Sequence, residues 1–171
     1  HKELVKQVSV VTDALLLAEQ INFKYKTTAE AKKIAVLVSK MSREPTRTVV
    51  GIYELMVNSV EHGNLGISYQ EKTELIDSKS LITEVNRRLT LPEYKDKTVS
   101  VKVSIDDGFI DVVISDMGGG FDFEQYIEFS PERLMDNHGR GIMMANNVGF
   151  EKMHYFDDGR SVLCRISRSP I

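Results

Sequence analysis

The chain has 171 residues, 42% hydrophobic and 27% charged, with a formal net charge of −3. That is enough for one domain with a hydrophobic core, and the charge balance excludes a broad basic surface of the kind that tracks nucleic-acid backbones. No apolar run is long enough for a membrane span and no secretory signal is visible. The single cysteine, Cys164, cannot form an internal disulfide, which fits a reducing, cytoplasmic setting. The sequence opens on His1 rather than Met, which suggests a fragment with more chain upstream.

Residues 1–21, free of Gly and Pro, read as a helix. Leu4, Val8, Val11, Leu15 and Ala18 recur at steps of four, three, four and three, the rhythm of a coiled-coil seam. The same pattern also suits an amphipathic helix packed on its own domain. The coiled-coil reading makes this segment a linker helix and the chain a candidate homodimer. Ile21, Phe23 and Tyr25 alternate with polar residues and predict a half-buried strand over 21–26. Thr27 or Thr28 is the expected N-cap of a following helix, with Glu30 in its first turn. Pro45 suits the start of another helix, with a buried stripe of Val49, Ile52, Tyr53, Met56 and Val60, running to about His62 and stopping at Gly63. Glu71 to Leu89 reads as one long exposed helix ended by Pro92. Strands are expected at Val99–Ile105 and Phe109–Ser115, joined by the hairpin signal Asp106-Asp107-Gly108. A Gly-rich stretch, a loop with Pro131 and a short helix over about Ile142–Val148 follow. A last hairpin turns at Asp157-Asp158-Gly159 into a strand over Ser161–Ile166. Strands grouped in hairpins, with helices between the groups, predict an α+β two-layer sandwich, a mixed sheet with helices on one face.

Three clusters could do chemistry. Glu54 and Asn58 are four apart and share one helix face, where a carboxylate and an amide oxygen suit a hydrated Mg²⁺ and a nucleophile; a solvated surface pair has the same spacing. Asp116-Met117-Gly118-Gly119-Gly120 follows a strand directly. Its carboxylate could accept from an exocyclic amine such as that of adenine, and its glycines allow close backbone approach; a plain flexible turn looks the same. His138-Gly139-Arg140-Gly141 leads into a helix, where backbone N–H groups and Arg140 could cradle phosphate; an ordinary loop before an N-cap also fits. No P-loop, dinucleotide-binding turn or HExxH sequence is present, and the four His and one Cys lack zinc spacing.

Taken in order, the three clusters resemble the boxes of the GHKL ATPase superfamily of gyrases, chaperones, histidine kinases and mismatch-repair proteins. Glu54 to Asn58 looks like its N box, Asp116-Met-Gly-Gly-Gly like its DxGxG box, and Gly139-Arg-Gly-Ile like its GxG box beside the ATP lid. The resemblance covers about residues 22–167 and implies a Bergerat-type ATP-binding domain over 22–171, behind the linker helix of 1–21. It implies that Asp116 binds the adenine amine, that Asn58 binds Mg²⁺ bridging the phosphates, and that Glu54 is the general base. Gly118, Gly120, Gly139 and Gly141 would shape pocket and lid, with Arg140 beside them. Ser161 stands where relatives carry Thr near the adenine.

The opening strand and Thr-x-Glu-Ala helix resemble the anti-sigma-factor serine/threonine kinases. The segment Glu61-His-Gly-Asn-Leu-Gly-Ile-Ser-Tyr-Gln-Glu-Lys is similar to ATPase domains downstream of receiver domains in bacterial response regulators. The implied activity is ATP-dependent phosphorylation of a small anti-sigma-antagonist-like protein in bacterial signalling. A sigma factor and an upstream receiver domain are further implied partners, and the helical insertion at 71–89 departs from the compact anti-sigma kinases. A histidine-kinase catalytic domain and a nucleotide-switched binding module are the alternatives. Residues 1–21 are too short for the usual phosphoacceptor hairpin, and a pure binder has no need of Glu54.

Overall fold

The computed structural model describes residues 2–121 and 149–170, apart from the side chains at 4, 5, 8 and 9. The expected Pro131 loop, the helix over about Ile142–Val148 and the cluster His138 to Gly141 lie outside the described residues. In chain order the elements are α1 (Lys2–Leu15), β1 (Gln20–Tyr25), α2 (Thr28–Ser39), α3 (Pro45–Asn58), a π-helical segment (Ser59–Asn64), α4 (Tyr69–Asp77), α5 (Leu81–Thr90), β2 (Val99–Ile105), β3 (Phe109–Ser115), β4 (Phe150–Phe156), a 3₁₀ turn (Asp157–Gly159) and β5 (Ser161–Ser167). No helix among the described residues is long and apolar enough to cross a membrane.

The fold is α+β, with helices and a five-stranded sheet in the order β1-β2-β3-β5-β4. The expected mixed sheet does not form: all four pairings among the described residues are antiparallel. The two hairpin turns impose antiparallel neighbours, and β1–β2 and β3–β5 pair in the same sense. In the first hairpin, Asp106 Oδ1 accepts from the N–H groups of Gly108 at 2.9 Å and Phe109 at 2.7 Å, an Asx turn of the kind Asp favours.

Period-two alternation buries one face of the sheet. Val99, Val101 and Val103 of β2, Ile110, Val112 and Ile114 of β3, and Val162, Cys164 and Ile166 of β5 join Ala31, Ile34, Ala35 and Val38 of α2 and Ile52, Leu55 and Met56 of α3 in one core. The opposite face carries polar pairs, such as Arg165 donating to both carboxylate oxygens of Asp111 at 2.7 and 2.8 Å.

Local chemistry explains where the helices begin and end. Thr27 caps α2 in a capping box, its Oγ1 accepting from Glu30 N while Glu30 Oε1 accepts from Thr27 N. Pro45 opens α3. The first helix stops at Leu15, short of the expected 21, because the next backbone bonds tighten to the i−3 type at Leu17 and Ala18 and Leu16 turns into the core. Ala18 therefore falls beyond the helix and Leu15 packs on the chain's own core, which shortens the seam available for a coiled coil.

The single helix expected over 71–89 is two, α4 and α5, broken at Ser78-Lys79-Ser80, where Lys79 has φ +57°. A straight helix would hold residues 71 and 88 about 25 Å apart. The fold-back instead lets Arg88 pair with both Glu71 and Glu84 and donate to the Leu65 carbonyl.

Candidate functional site

The site is built where α3 gives way to the π-helical segment. Leu65 N–H donates to the Val60 carbonyl at 2.9 Å, five residues back, so the chain turns more widely than an α-helix, a local geometry common at functional sites. The expected α-helical run to His62 thus ends at Asn58, and Gly63 lies inside the wider turn rather than after the helix.

The wider turn carries Gly63 and Asn64 against the end of β3. Asn64 Oδ1 accepts from Met117 N–H at 2.6 Å. A Cβ on Gly63 would fall 2.4 Å from Asp116 Oδ2, and one on Gly118 would fall 2.1 Å from the Gly63 carbonyl oxygen. Both glycines are therefore needed for backbone to meet carboxylate and backbone to meet backbone. Gly63, which packs against Asp116, follows Asn58 by five residues in the same helical run.

Asp116 is largely withdrawn from water, and burial pushes its carboxyl up to about 6, opposed by the Gly118 N–H and the charges of Arg160 and Lys97. Gly118 N–H donates to Oδ1 at 2.8 Å, and no hydrogen bond among the described residues engages Oδ2. Tyr25 stands between Asp116 and α3. Its hydroxyl donates to the Met56 carbonyl at 2.7 Å, and burial, then the Asp116 charge, raise its pKa.

Asn58 is only 6% exposed, so it is not half of a solvated surface pair. No hydrogen bond among the described residues engages its amide, whose oxygen is of the hard type that Mg²⁺ takes. No group of three or more His, Cys, Asp or Glu among the described residues could hold a metal alone; a magnesium ion carried by phosphates needs only one or two protein oxygens. Glu54 is half-buried, and its pKa is raised by burial and by Glu61, with Lys72 opposing. A raised carboxyl holds its proton more readily than an ordinary glutamate, the direction a general base needs. His62 Nδ1 donates to the Ile67 carbonyl at 2.6 Å, fastening the exit of the π-helical segment.

Gly120 has φ +84°, and a Cβ there would fall 2.2 Å from the Asp158 carbonyl oxygen. It lets the Gly-rich stretch dock on the β4–β5 turn, where Phe121 N–H donates to that same oxygen. Ser161 is buried, but its hydroxyl is 2.8 Å from that of Ser115. Its neighbour Arg160 accepts from Asp116 N–H through its backbone carbonyl. Gly139, Arg140 and Gly141 lie outside the described residues.

Sequence reasoning assigned no site role to Tyr25, Asn64 or Lys72. Tyr25 looked like any inward strand residue, and Asn64 and Lys72 reach partners that no periodicity links to them. No family model and no curated protein matches this chain.

Proposed function

We propose that this chain is a Bergerat-type ATP-binding domain acting as a serine/threonine protein kinase of the anti-sigma-factor type. The observation that carries the reading is the seating of a desolvated Asp116, one carboxylate oxygen unengaged among the described residues, against the π-helical continuation of the helix that bears Glu54 and Asn58. Asp116 accepts a hydrogen bond from the exocyclic amine of adenine. The Asn58 amide oxygen holds Mg²⁺, which when bound neutralises phosphate charge.

Glu54 takes the proton from a Ser or Thr hydroxyl of the partner as that oxygen bonds to the γ-phosphorus. The bond from the γ-phosphorus to the β–γ bridging oxygen breaks, and ADP leaves with its electron pair. Little covalent chemistry falls to the protein, which positions the groups and stabilises charge. Gly139, Arg140 and Gly141 complete the phosphate cradle in this reading, and the substrate is a small anti-sigma-antagonist-like protein in the cytoplasm. A sigma factor and a receiver domain upstream in the same chain are further proposed partners.

The test is incubation with labelled ATP, Mg²⁺ and candidate partner proteins, beside Glu54→Gln. Acid-stable phosphate on a partner, lost in Glu54→Gln with ATP still bound, is the expected result. Acid-labile phosphate points to a histidine kinase instead, and failure of the wild type to bind ATP with Mg²⁺ ends the reading.

A further inference from the structure

The helical insertion sends one charged side chain inward. Lys72 of α4 places its ammonium 2.6 Å from Glu61 Oε2, with the two side chains only 11% and 8% exposed. Glu61 lies in the π-helical continuation of α3, seven residues beyond Glu54, and the Lys72–Glu61 pair is close enough for both charges to act on Glu54. Glu54 responds to both neighbours, Lys72 favouring its charged form and Glu61 opposing it.

A buried ion pair adds little net stability over apolar side chains of similar size. This one stands beside the base. Two nearby carboxylates withdrawn from water disfavour each other's charged forms, and the cation that offsets this comes from α4.

Resting on the kinase reading, we propose that Lys72 is a positioning residue of the phosphoryl-transfer site: it neutralises Glu61 and turns its remaining field on Glu54, so that the α4–α5 hairpin sets the charge beside the base. The charged and titratable groups bearing on Glu54 are Lys72 from α4, Glu61 from the π-helical segment and Tyr53 beside it on α3.

Lys72→Met alone strands a buried carboxylate and can unfold the chain. The informative set is therefore Glu61→Gln, the double variant Lys72→Met/Glu61→Gln, and Lys72→Arg, each in the full chain. With Mg²⁺ and ATP, the double variant is expected to bind ATP as Glu61→Gln does but to turn it over at least about tenfold more slowly, with Lys72→Arg close to wild type. The second readout needs no catalysis. The ¹³C-carboxyl resonance of Glu54 should titrate at higher pH in the double variant than in Glu61→Gln. Equal Glu54 titration in those two variants overturns the proposal, as does equal turnover where turnover is measurable. Glu54→Gln is the separate control. Its turnover at the wild-type rate brings down the kinase reading itself, whereas an inactive Glu54→Gln beside a fully active double variant brings down this inference alone.

Discussion

Burial of Asp116 costs stability at neutral pH. Its carboxyl titrates at about 6 in the folded protein, against an ordinary value of 3.8. A raised acid binds its proton more tightly in the folded state than in the unfolded one. The stability it contributes is therefore complete below about 3.8 and is lost as pH rises through 6. The shift corresponds to at most about 3 kcal/mol, reduced to about 1 kcal/mol by the remaining contact with solvent. Asp116→Asn should accordingly raise the melting temperature of the ligand-free protein at pH 7, with the gain fading by pH 4, while adenine-nucleotide binding is lost. Thermal melts across pH beside ATP titrations would check both halves, and a variant destabilised at pH 7 would contradict the desolvation argument. The neighbouring glycines separate packing from flexibility. Gly118→Ala drives a Cβ into the Gly63 backbone and should cost about 1–3 kcal/mol. Gly119→Ala meets nothing within 4 Å among the described residues and should stay within about 0.5 kcal/mol, as read by chemical denaturation.

Among the elements, those with local signals were legible in advance. The Thr27 cap, Pro45 at a helix start and both Asp-Gly hairpins are short-range chemistry, and the structure has each of them. The break between α4 and α5 was not legible. Ser78-Lys79-Ser80 contains neither Gly nor Pro, and what enforces the fold-back is Arg88 reaching Glu71 and the Leu65 carbonyl, contacts that span 17 and 23 residues. The π-helical turn was missed for a related reason, since its purpose lies in the approach of Gly63 to Asp116 across the chain. Lys79 carries the backbone strain of the fold-back, because a left-handed conformation disfavours a side chain. Lys79→Gly should raise stability by about 0.5–1 kcal/mol, measurable as a higher denaturation midpoint at unchanged slope.

At the scale of the whole molecule, Arg168 draws together segments far apart in sequence. The residue is 8% exposed, its guanidinium donates to the Asp106 carbonyl at 2.7 Å and the Leu16 carbonyl at 2.9 Å, and its backbone N–H donates to the Gly108 carbonyl. The sheet order that makes this meeting inevitable was not readable from the amino acids, because strand neighbours separated by long connections leave no periodic trace. Removing residues 1–14 spares Leu16 and its carbonyl's hydrogen bond from Arg168. Removing residues 1–18 also deletes buried Leu16 and the acceptor for Arg168, and should cost about 2–4 kcal/mol. Paired denaturation curves of the two truncations would measure the difference.

The clasp at Arg168 also means that the folded body closes on itself: residue 16 and residue 168 are hydrogen-bonded neighbours. Chains whose ends meet tolerate being rewired. A short Gly-Ser bridge from Pro170 into Leu16, with a new opening cut at the tip between α4 and α5, should give a circular permutant that keeps the sheet and the approach of Gly63 to Asp116. It would also free Lys72 from its covalent tie to α5.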